Sequence, residues 1–304
     1  MPFRNQIHID SLLSNVSVKY RNKNFIAMDV FPEISVKKDS DLYRVYDRNF
    51  RLPQTARANK AAAREHNFEV SSATYVLQHE ALRELVSDRD AENYDLADLR
   101  RETTEELTDK IMLKMEYDCA ALFSPTTTSW SNSLSLSSAQ QWSLDSVTSN
   151  PIARMDTITV TVLQASGYEA NKAIIPHSVM LAAKNHGSVT DRIKYTSIDI
   201  TEKMLAGLFG IESILVPKAV IDSSAEGVAA SVAPVWSDNV FVGYVSPRPS
   251  PLAPSAGYTF RNAKPLVKRY RDEEREGEWI EVNMHYQCKI VSSLAGYMIA
   301  DVLA

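Results

Sequence analysis

The amino-acid sequence predicts an α+β fold, and three observations support this class. The first half of the chain contains the pattern of one long amphipathic helix. Patterns of helices and short strands alternate from residue 151 to residue 221, and strand-like segments run from Val240 to the C-terminus. At 304 residues and 44% hydrophobic content, the chain has enough apolar side chains to bury a core. We therefore expect a folded protein that needs neither a structural metal nor a disulfide.

Two strand-like runs enclose a basic segment near the N-terminus. FPEISVKKDSDLYRVYD precedes it, and HNFEVSSATYVLQHEALRELVSD follows with partly alternating apolar residues such as Phe68, Val70, Tyr75 and Leu77. Between them, residues 48–63 carry few large apolar side chains and cannot form their own core. The pattern predicts a long two-stranded arm with a flexible tip. Because an isolated ribbon is marginal in water, we expect a neighbouring subunit to support it.

Charge divides this region into two segments of opposite sign. Residues 35–66 contain eight basic and four acidic side chains, whereas residues 80–118 contain six basic and thirteen acidic ones. Such segments can attract each other within a chain or between copies, or they can simply be two solvated faces. The candidate inter-subunit contacts are Arg51, Arg57, Lys60 and Arg64 on the arm and Glu102, Glu105 and Glu106 on the acidic segment.

The acidic segment carries the most regular helical pattern. Apolar and small residues recur every three or four positions: Leu96, Leu99, Thr103, Leu107, Ile111, Met115, Cys119 and Leu122. This spacing predicts one helix over residues 95–123, on the order of 40 Å long, capped by Asn93 or Asp95 and stopped by Pro125. Its opposite face is rich in Glu and Asp, which makes it a candidate receiver for the basic arm.

The remaining elements follow a Ser/Thr-rich connector over residues 125–150, in which Trp130 and Trp142 are expected to be packing anchors. Asn150 and Pro151 are typical of a helix start. The predicted elements are a helix over 151–166, a strand over 173–175, a helix over 178–185 stopped by Gly187, a helix over 195–210, a strand over 212–221, and the C-terminal strands VFVGYV, KPLVKRYRD, EWIEVNMHYQCKIV and SSLAGYMIADVLA.

No motif for catalysis or cofactor binding is present in the sequence. It lacks the GxGxxG and GxxxxGK[ST] phosphate loops, the HExxH metal motif and the GxSxG nucleophile elbow. Cys119 and Cys288 have no partner at zinc-ligand or redox spacing, so we expect two structural thiols in a reducing compartment. Glu105 and Glu106 could act as an acid–base pair only if they lined a cleft. The sequence therefore predicts no catalytic residue, no cofactor, no metal and no enzyme activity.

Targeting and partner signals are equally sparse. The first twenty residues lack the apolar block of a secretory signal, and no apolar run approaches the roughly 20 residues that span a bilayer. A membrane role is therefore disfavoured. The net charge of −5 gives no general attraction to nucleic acid, so any contact with DNA would need a local basic patch.

The order of these elements resembles a known family. The FPEISV strand, the charged loop, YVLQHEALRELVSDRDAEN and the long helix ending KMEYDCAALF resemble the first half of tailed-bacteriophage major capsid proteins of the Hong Kong 97-type fold. NPIARMDTITVTVLQASGYEANKAIIPHSVMLAAKNHGSVTDRIKY, ITEKMLAGLFGIESILV, WSDNVFVGYVSP and AGYMIADVLA follow in the order of the family's second half. The resemblance covers nearly the whole chain through short, degenerate motifs.

The resemblance implies five segments. They are an N-terminal arm over residues 1–25, an extended loop with flanking strands over 26–90, a peripheral domain with a spine helix at 95–123 over 91–150, an axial domain over 151–263, and returning C-terminal strands over 264–304. Relatives lay the extended loop over an adjacent subunit. Some relatives also crosslink a Lys to an Asn, and Lys60 lies near the loop tip, although a solvated or salt-bridging Lys is far commoner.

The implied function is an icosahedral shell that assembles from hexamers and pentamers in the host bacterial cytoplasm and encloses double-stranded phage DNA, contacted non-specifically. Separate scaffolding, portal and decoration proteins are the other partners the resemblance suggests. Many relatives begin with a scaffolding segment that is cut away, whereas this sequence goes almost directly into the arm. Two alternatives stay open: an encapsulin-like compartment that encloses an enzyme, and a hydrolase or transferase with an unrecognised site.

Overall fold

The secondary structure is mixed, as the sequence predicts. A computed structural model describes residues 8–9, 25–45, 55–57, 59, 62, 65, 71–93, 98–124, 130–144, 148–194, 200–224, 229–251, 253–262 and 265–304. The helices are α1 (Ala27–Val30), α2 (Asp88–Asn93), α3 (Leu99–Ala121), α4 (Pro151–Ser166), α5 (His177–Asn185), α6 (Gly187–Ile193) and α7 (Glu202–Leu208).

The strands run from the N-terminal segment to the last residues of the chain. They are β1 (His8–Ile9), β2 (Glu33–Ser35), β3 (Ser40–Val45), β4 (Ser71–Val76), β5 (Gln78–Ser87), β6 (Asn132–Ser135), β7 (Lys172–Ile174), β8 (Ser213–Leu215), β9 (Val220–Asp222), β10 (Val232–Pro234), β11 (Val240–Gly243), β12 (Gly257–Arg261), β13 (Leu266–Asp272), β14 (Gly277–Ile290) and β15 (Gly296–Ala300). Short 3-10 turns lie at Ser138–Gln140 and Ser293–Ala295.

The first sheet is built around the long strand β14. Strand β5 pairs antiparallel with one edge of β14, while β12 and β13 pair with successive parts of its other edge. Strand β2 extends the sheet through a parallel pairing with β12, and β1 pairs with β13. Alternate β14 residues, including Ile280, Val282 and Met284, are buried in the same core cluster as the apolar stripe of α3. The N-terminal and C-terminal parts of the chain therefore share one core.

Helix α3 confirms the predicted stripe but corrects its ends. Thr103, Leu107, Ile111, Met115 and Cys119 are all buried. The described helix begins at Leu99 and ends at Ala121, inside the predicted 95–123 span. The predicted caps are wrong, because the side chain of Asp98 accepts a hydrogen bond from the backbone N–H of Arg100 at 3.2 Å, whereas Asn93 ends α2. The predicted start at 95 lies outside the described residues.

The second sheet has the strand order β6–β15–β11–β7–β8. Helix α4 contributes Ile152, Met155, Ile158 and Val162 to the core of this sheet. The predicted span of 151–166 is confirmed, and Asn150 caps the helix by accepting a hydrogen bond from Ala153 N at 3.1 Å.

Three shorter predictions in this half need correction. Gly187 was predicted to stop a helix, but a new helix, α6, begins at this residue. His186 caps α6, because its Nδ1 accepts a hydrogen bond from the backbone N–H of Ser188 at 3.2 Å. The helix predicted over 195–210 is described only as α7, capped by Thr201, and residues 195–199 lie outside the described residues. The strand predicted over 212–221 is two strands, β8 and β9, because Pro217 stands between them.

An aromatic cluster joins the two sheets. The ring of Phe123, just after α3, lies 4.9 Å from the ring of Phe241 on β11 and 5.7 Å from Trp130. Trp130 also donates its indole N–H to the Leu122 carbonyl at 3.1 Å. Trp130 and Trp142 are both buried, which confirms their prediction as packing anchors. The end of the long helix is thereby fixed to both sheets.

Two glycines provide a matched test of this packing. A Cβ atom added at Gly257, at the start of β12, would lie 2.3 Å from Cε1 of the buried Phe31 ring. We expect Gly257→Ala to lower the free energy of unfolding by about 1–3 kcal/mol through overpacking. At Gly207 in α7 no atom lies within 4 Å of such a Cβ, so Gly207→Ala should be neutral or stabilising by up to about 1 kcal/mol. Urea unfolding of both variants checks this; equal effects would contradict the described packing around Phe31.

Candidate assembly surfaces

The basic arm begins as a regular two-stranded ribbon. Strands β3 and β4 pair antiparallel from Ser40 opposite Val76 to Val45 opposite Ser71. Leu77 alone separates β4 from β5, so the second strand of the ribbon continues directly into the edge of the first sheet. The described pairing confirms the predicted hairpin at its base.

The inner face of this base packs on the chain's own sheet. The ring of Tyr75 stacks on Phe260 of β12 with centroids 4.7 Å apart, and Tyr43 lies 5.3 Å from the same ring. Gln287 Oε1 accepts the backbone N–H of Val76 at 2.9 Å, and the Lys289 ammonium donates to the Thr74 carbonyl. The expectation that a neighbouring subunit must support the ribbon is therefore wrong for its base, because β12 and β14 already support it.

The outer face of the same base is exposed and partly apolar. Side chains alternate along each strand, so Leu42 and Val76 point away from Phe260. Their exposed fractions are 64% and 54%, which are large values for aliphatic side chains. Neither side chain packs against the core clusters that the described residues form. The hairpin thus presents a preformed strand pair with two aliphatic side chains in water.

Of the four predicted basic contacts, the structure describes one. Arg57 is exposed. Arg51, Lys60 and Arg64 lie outside the described residues, so their predicted roles stay predictions.

The three predicted acidic contacts lie near the N-terminal end of α3. Glu102 and Glu106 are exposed, and Glu105 is half-buried. Glu105 accepts from Arg101 at 3.0 Å, and Glu106 lies 3.5 Å from Lys110. Both pairs have i,i+4 spacing, which contributes only a few tenths of a kcal/mol when exposed. The acidic face is therefore solvated and partly neutralised by basic residues of its own helix.

A buried carboxylate on the same helix was missed by the sequence analysis. Both backbone N–H groups at Ile26 and Ala27 donate to Oε2 of Glu116, at 3.0 and 2.8 Å. The indole N–H of Trp236 donates to its Oε1 at 2.6 Å. Glu116 therefore ties the start of α1 and the segment before β11 to the C-terminal half of α3.

A weak sequence signal accompanies this residue. Thr104, Thr108 and Glu116 lie on a second stripe at multiples of four, beside the apolar one, and all three are buried. The two threonines satisfy their hydroxyls by donating to carbonyls four residues earlier, Arg100 O and Thr104 O. Periodicity that counts only apolar residues does not detect such a stripe.

Burial dominates the electrostatics of this carboxylate. Desolvation raises the pKa of Glu116 above its usual 4.5, while the hydrogen bonds from Ala27, Trp236 and Ile26 oppose the shift. The folded protein thus holds this proton to a higher pH than the unfolded chain. The stability linked to the group decreases as the pH rises above 4.5, through the window between the two pKa values.

A pair of stacked histidines lies where the arm meets the sheet. His79 of β5 and His285 of β14 are register partners, with ring centroids 4.0 Å apart and planes at 11°. His79 Nε2 also lies 3.1 Å from Asn283 Oδ1. Burial lowers the pKa of His285, and the neighbouring His79 and Lys268 lower it further, while Asp39 opposes them. The two rings therefore stack three residues after the end of β4.

Metal sites and membrane spans also bear on the class of site. Within the described residues, no three His, Cys, Asp or Glu side chains gather in a way that would hold a metal ion. No helix among the same residues is both long and apolar enough to cross a bilayer.

Comparison with known proteins identifies what this fold is similar to. No protein-family model matches the sequence. The chain is 24% identical over 302 residues to the major capsid protein of Burkholderia phage BcepMu, an alignment that covers 97% of this chain and 96% of the relative. It is 25% identical over 236 residues to the major capsid protein of Pseudomonas phage JBD67, covering 75% and 74%. The chain is a homologue of phage major capsid proteins.

Solved structures extend this finding to the fold. A phage-related protein from Bordetella bronchiseptica has 27% identity and a TM-score of 0.79, and the match covers 97% of both chains. The capsid of the native GTA particle has 13% identity and a TM-score of 0.62 over 92% of this chain and 90% of that chain. The predicted Hong Kong 97-type α+β fold is thereby confirmed.

The relatives of this capsid-protein homologue are structural proteins, not enzymes. The prediction that the chain is a structural protein is therefore confirmed, and the hydrolase or transferase alternative is set aside. A capsid protein is located in the virion capsid and associates with copies of itself.

The buried carboxylate can be tested with two glutamate variants of the same helix. Glu116→Ala would leave three buried donors without an acceptor, so we expect the free energy of unfolding to fall by about 3 kcal/mol or more. Glu106→Ala removes an exposed carboxylate of the same size, and we expect a loss of about 0.5 kcal/mol or less. Urea unfolding measures both. A small loss for Glu116→Ala would show that Glu116 does not hold the three segments together.

The stacked histidines predict a pH dependence. Because the pKa of His285 is lowered on folding, the unfolded chain takes up this proton first, and stability falls as the pH drops below the usual histidine value of 6.5. His285→Gln should flatten this part of the stability–pH curve. His177→Gln, at an exposed histidine that begins α5, should leave it unchanged. Chemical unfolding at several pH values measures the slope, and an unchanged slope in His285→Gln would contradict the assignment.

Proposed function

We propose that this chain is the shell-forming subunit of a tailed phage, assembling through hexamers and pentamers into an icosahedral capsid that encloses double-stranded DNA. One observation carries the proposal: a capsid fold over nearly the whole chain presents a preformed hairpin whose outer face is apolar and exposed. Leu42 and Val76 have no cover within the described chain, and many repeated copies of a weak contact add up in a closed shell. Assembly in the host cytoplasm is part of the same proposal.

The five segments take their roles in this proposal with the boundaries predicted from the sequence. Residues 1–25 are the N-terminal arm, 26–90 the extended loop, 91–150 the peripheral domain, 151–263 the axial domain and 264–304 the returning strands. Two features support this division: α3 packs with the first sheet, and α4 packs with the second. Strands β13 and β14 return to the first sheet and β15 returns to the second, so the last segment belongs to both.

The extended loop is proposed to lie on the acidic face of α3 in an adjacent subunit. Its basic residues are Arg51, Arg57, Lys60 and Arg64, and the receiving residues are Glu102, Glu105 and Glu106. Exposure of Glu102 and Glu106 supports this pairing, since both remain accessible in the single subunit. The intrahelical partners Arg101 and Lys110 are exposed and can be exchanged for arm residues at little cost.

Further partners follow from the same proposal. A shell that packages DNA contacts it non-specifically, and separate scaffolding, portal and decoration proteins complete such a particle. We propose no cofactor, no metal and no membrane partner for this chain.

Negative-stain electron microscopy of the purified protein tests the proposal. Closed shells or flat capsomer rings support it, and a monomer under all conditions would overturn it. Particles from infected cells separate the phage shell from an encapsulin-like compartment, which shares the fold. Nuclease-protected DNA of genome length supports the phage shell, whereas an enclosed enzyme without DNA would identify the compartment.

Charge reversal tests the proposed arm contact. We expect the combination Arg57→Glu, Lys60→Glu and Arg64→Glu to raise the protein concentration needed for assembly by about tenfold or more, while the melting temperature of the subunit stays unchanged. Raising the salt concentration should weaken wild-type assembly in the same direction. Light scattering during assembly and thermal melting measure the two effects separately.

Two further variants control this experiment. Reversal of three exposed basic residues outside the arm, Arg192→Glu, Lys203→Glu and Lys218→Glu, gives the same change in net charge. Combining the arm reversal with Glu102→Lys, Glu105→Lys and Glu106→Lys should restore assembly. Normal assembly of the arm variant would show that the arm makes no important polar contact. Failure of the combined variant would place the contact elsewhere.

A further inference from the structure

The stacked histidines lie at the arm root, the place where both strands of the hairpin meet the first sheet. His79 is the second residue of β5, and Leu77 alone separates β5 from β4. On the other side of the root, the carbonyl of Asp39, just before β3, accepts the backbone N–H of Leu77 at 2.8 Å. His79 and His285 are register partners, so the rungs of β5 and β14 nearest the arm include this pair.

Polar contacts hold one of the two rings in place. Asn283 Nδ2 donates to Glu281 Oε1 at 2.8 Å, and this contact orients the amide so that its Oδ1 faces His79 Nε2 at 3.1 Å. Since an amide oxygen only accepts, His79 Nε2 carries a hydrogen and donates it. Lys268 Nζ of β13 lies 3.4 Å from the same Glu281 oxygen. Among the described residues, no partner hydrogen-bonds to the ring of His285, so this ring is the freer of the two.

Groups from three parts of the fold face the ring of His285. Burial lowers the pKa of His285 below the usual histidine value of 6.5, and His79 of β5 and Lys268 of β13 lower it further. The Asp39 carboxylate, just before β3, acts in the opposite direction. Asp39 Oδ1 accepts from Asn262 Nδ2 at 2.7 Å, which holds this carboxylate at the arm root. A protonated His285 is therefore repelled on the β5 side of the root and attracted on the β3 side.

We propose that His79 and His285 form a pH-sensitive switch that sets how firmly the arm root is held on the first sheet. When both rings are neutral, they stack and the rungs beside the arm stay closed. When both take up protons from solvent, two like charges face each other at a centroid distance of 4.0 Å and repel. Because Asn283 holds the ring of His79, the ring of His285 leaves the stack and turns toward Asp39.

The effect of the switch is confined to the arm root. Further along β14, Val282 and Ile280 are buried in the core shared with α3, so the rungs at that end of the ladder stay closed in either state. The hairpin keeps its own pairing, because β3 and β4 contain no histidine. Acid therefore loosens the attachment of the arm and leaves the arm itself intact. This inference depends on the fold alone and does not require the proposed shell.

Amide hydrogen exchange of the purified full chain tests the switch at several pH values between 7.5 and about 5, with each rate divided by the rate of the same amide in an unfolded peptide. Peptides that contain residues 78–81 report on the arm root, and peptides that contain residues 84–87 report on the far end of β5. We expect protection at the arm root to fall by about tenfold on acidification, and protection at the far end to change by less than about twofold.

Three variants keep the test decisive. His285→Phe retains a ring that can stack but cannot take up a proton, so it should show no acid response at the arm root. Asp39→Asn removes the charge that favours protonation of His285 and keeps an acceptor oxygen for Asn262, so the midpoint of the response should move to lower pH. Lys268→Gln removes a charge that opposes protonation, so the midpoint should move to higher pH.

The proposal is overturned if the arm root keeps its protection at pH 5, or if the far end of β5 loses as much protection as the root. It is also overturned if His285→Phe responds like the wild-type chain. Failure of Asp39→Asn and Lys268→Gln to move the midpoint in opposite directions would show that His285 is not the group that titrates.

Discussion

The buried carboxylate of Glu116 is the contact that fixes the N-terminal segment and the segment before β11 to the long helix. Removing a carboxylate from water is costly, and three hydrogen bonds offset that cost only if their donors are held in place. Those donors come from two stretches far apart in the chain, at the start of α1 and before β11. The N-terminal segment can therefore take its position only when the second half of the chain is folded. The long helix is linked to both of these parts of the chain.

The arm divides into a part that belongs to the subunit and a part that is available to others. Tyr43 and Tyr75 fix the base of the hairpin on Phe260, so the strands are ordered before any partner arrives. An ordered surface loses less conformational entropy on binding than a flexible one. Leu42 and Val76 on the outer face are thus presented in a fixed geometry, which favours assembly even where each contact is weak.

Local sequence patterns predicted most helices and strands, but they could not predict the long-range polar contacts. The stripe of α3, the Asn150–Pro151 start of α4 and the paired strands of the hairpin follow from spacing and capping chemistry within a few residues. Helix ends were less predictable, because Asp98 competed with other acceptors and His186 capped a helix that begins at a glycine. The partners of Glu116 depend on tertiary packing, so no spacing rule contains them.

The direct passage of β4 into β5 has a mechanical consequence. A tensile force on the arm would act along β5, parallel to its ten paired residues on β14, and would load their hydrogen bonds in shear. Shearing such a ladder requires many bonds to break together, whereas peeling breaks them one after another. If a neighbouring subunit holds the arm, as proposed, the subunit can transmit stress from the arm into its central strand without the sheet peeling apart.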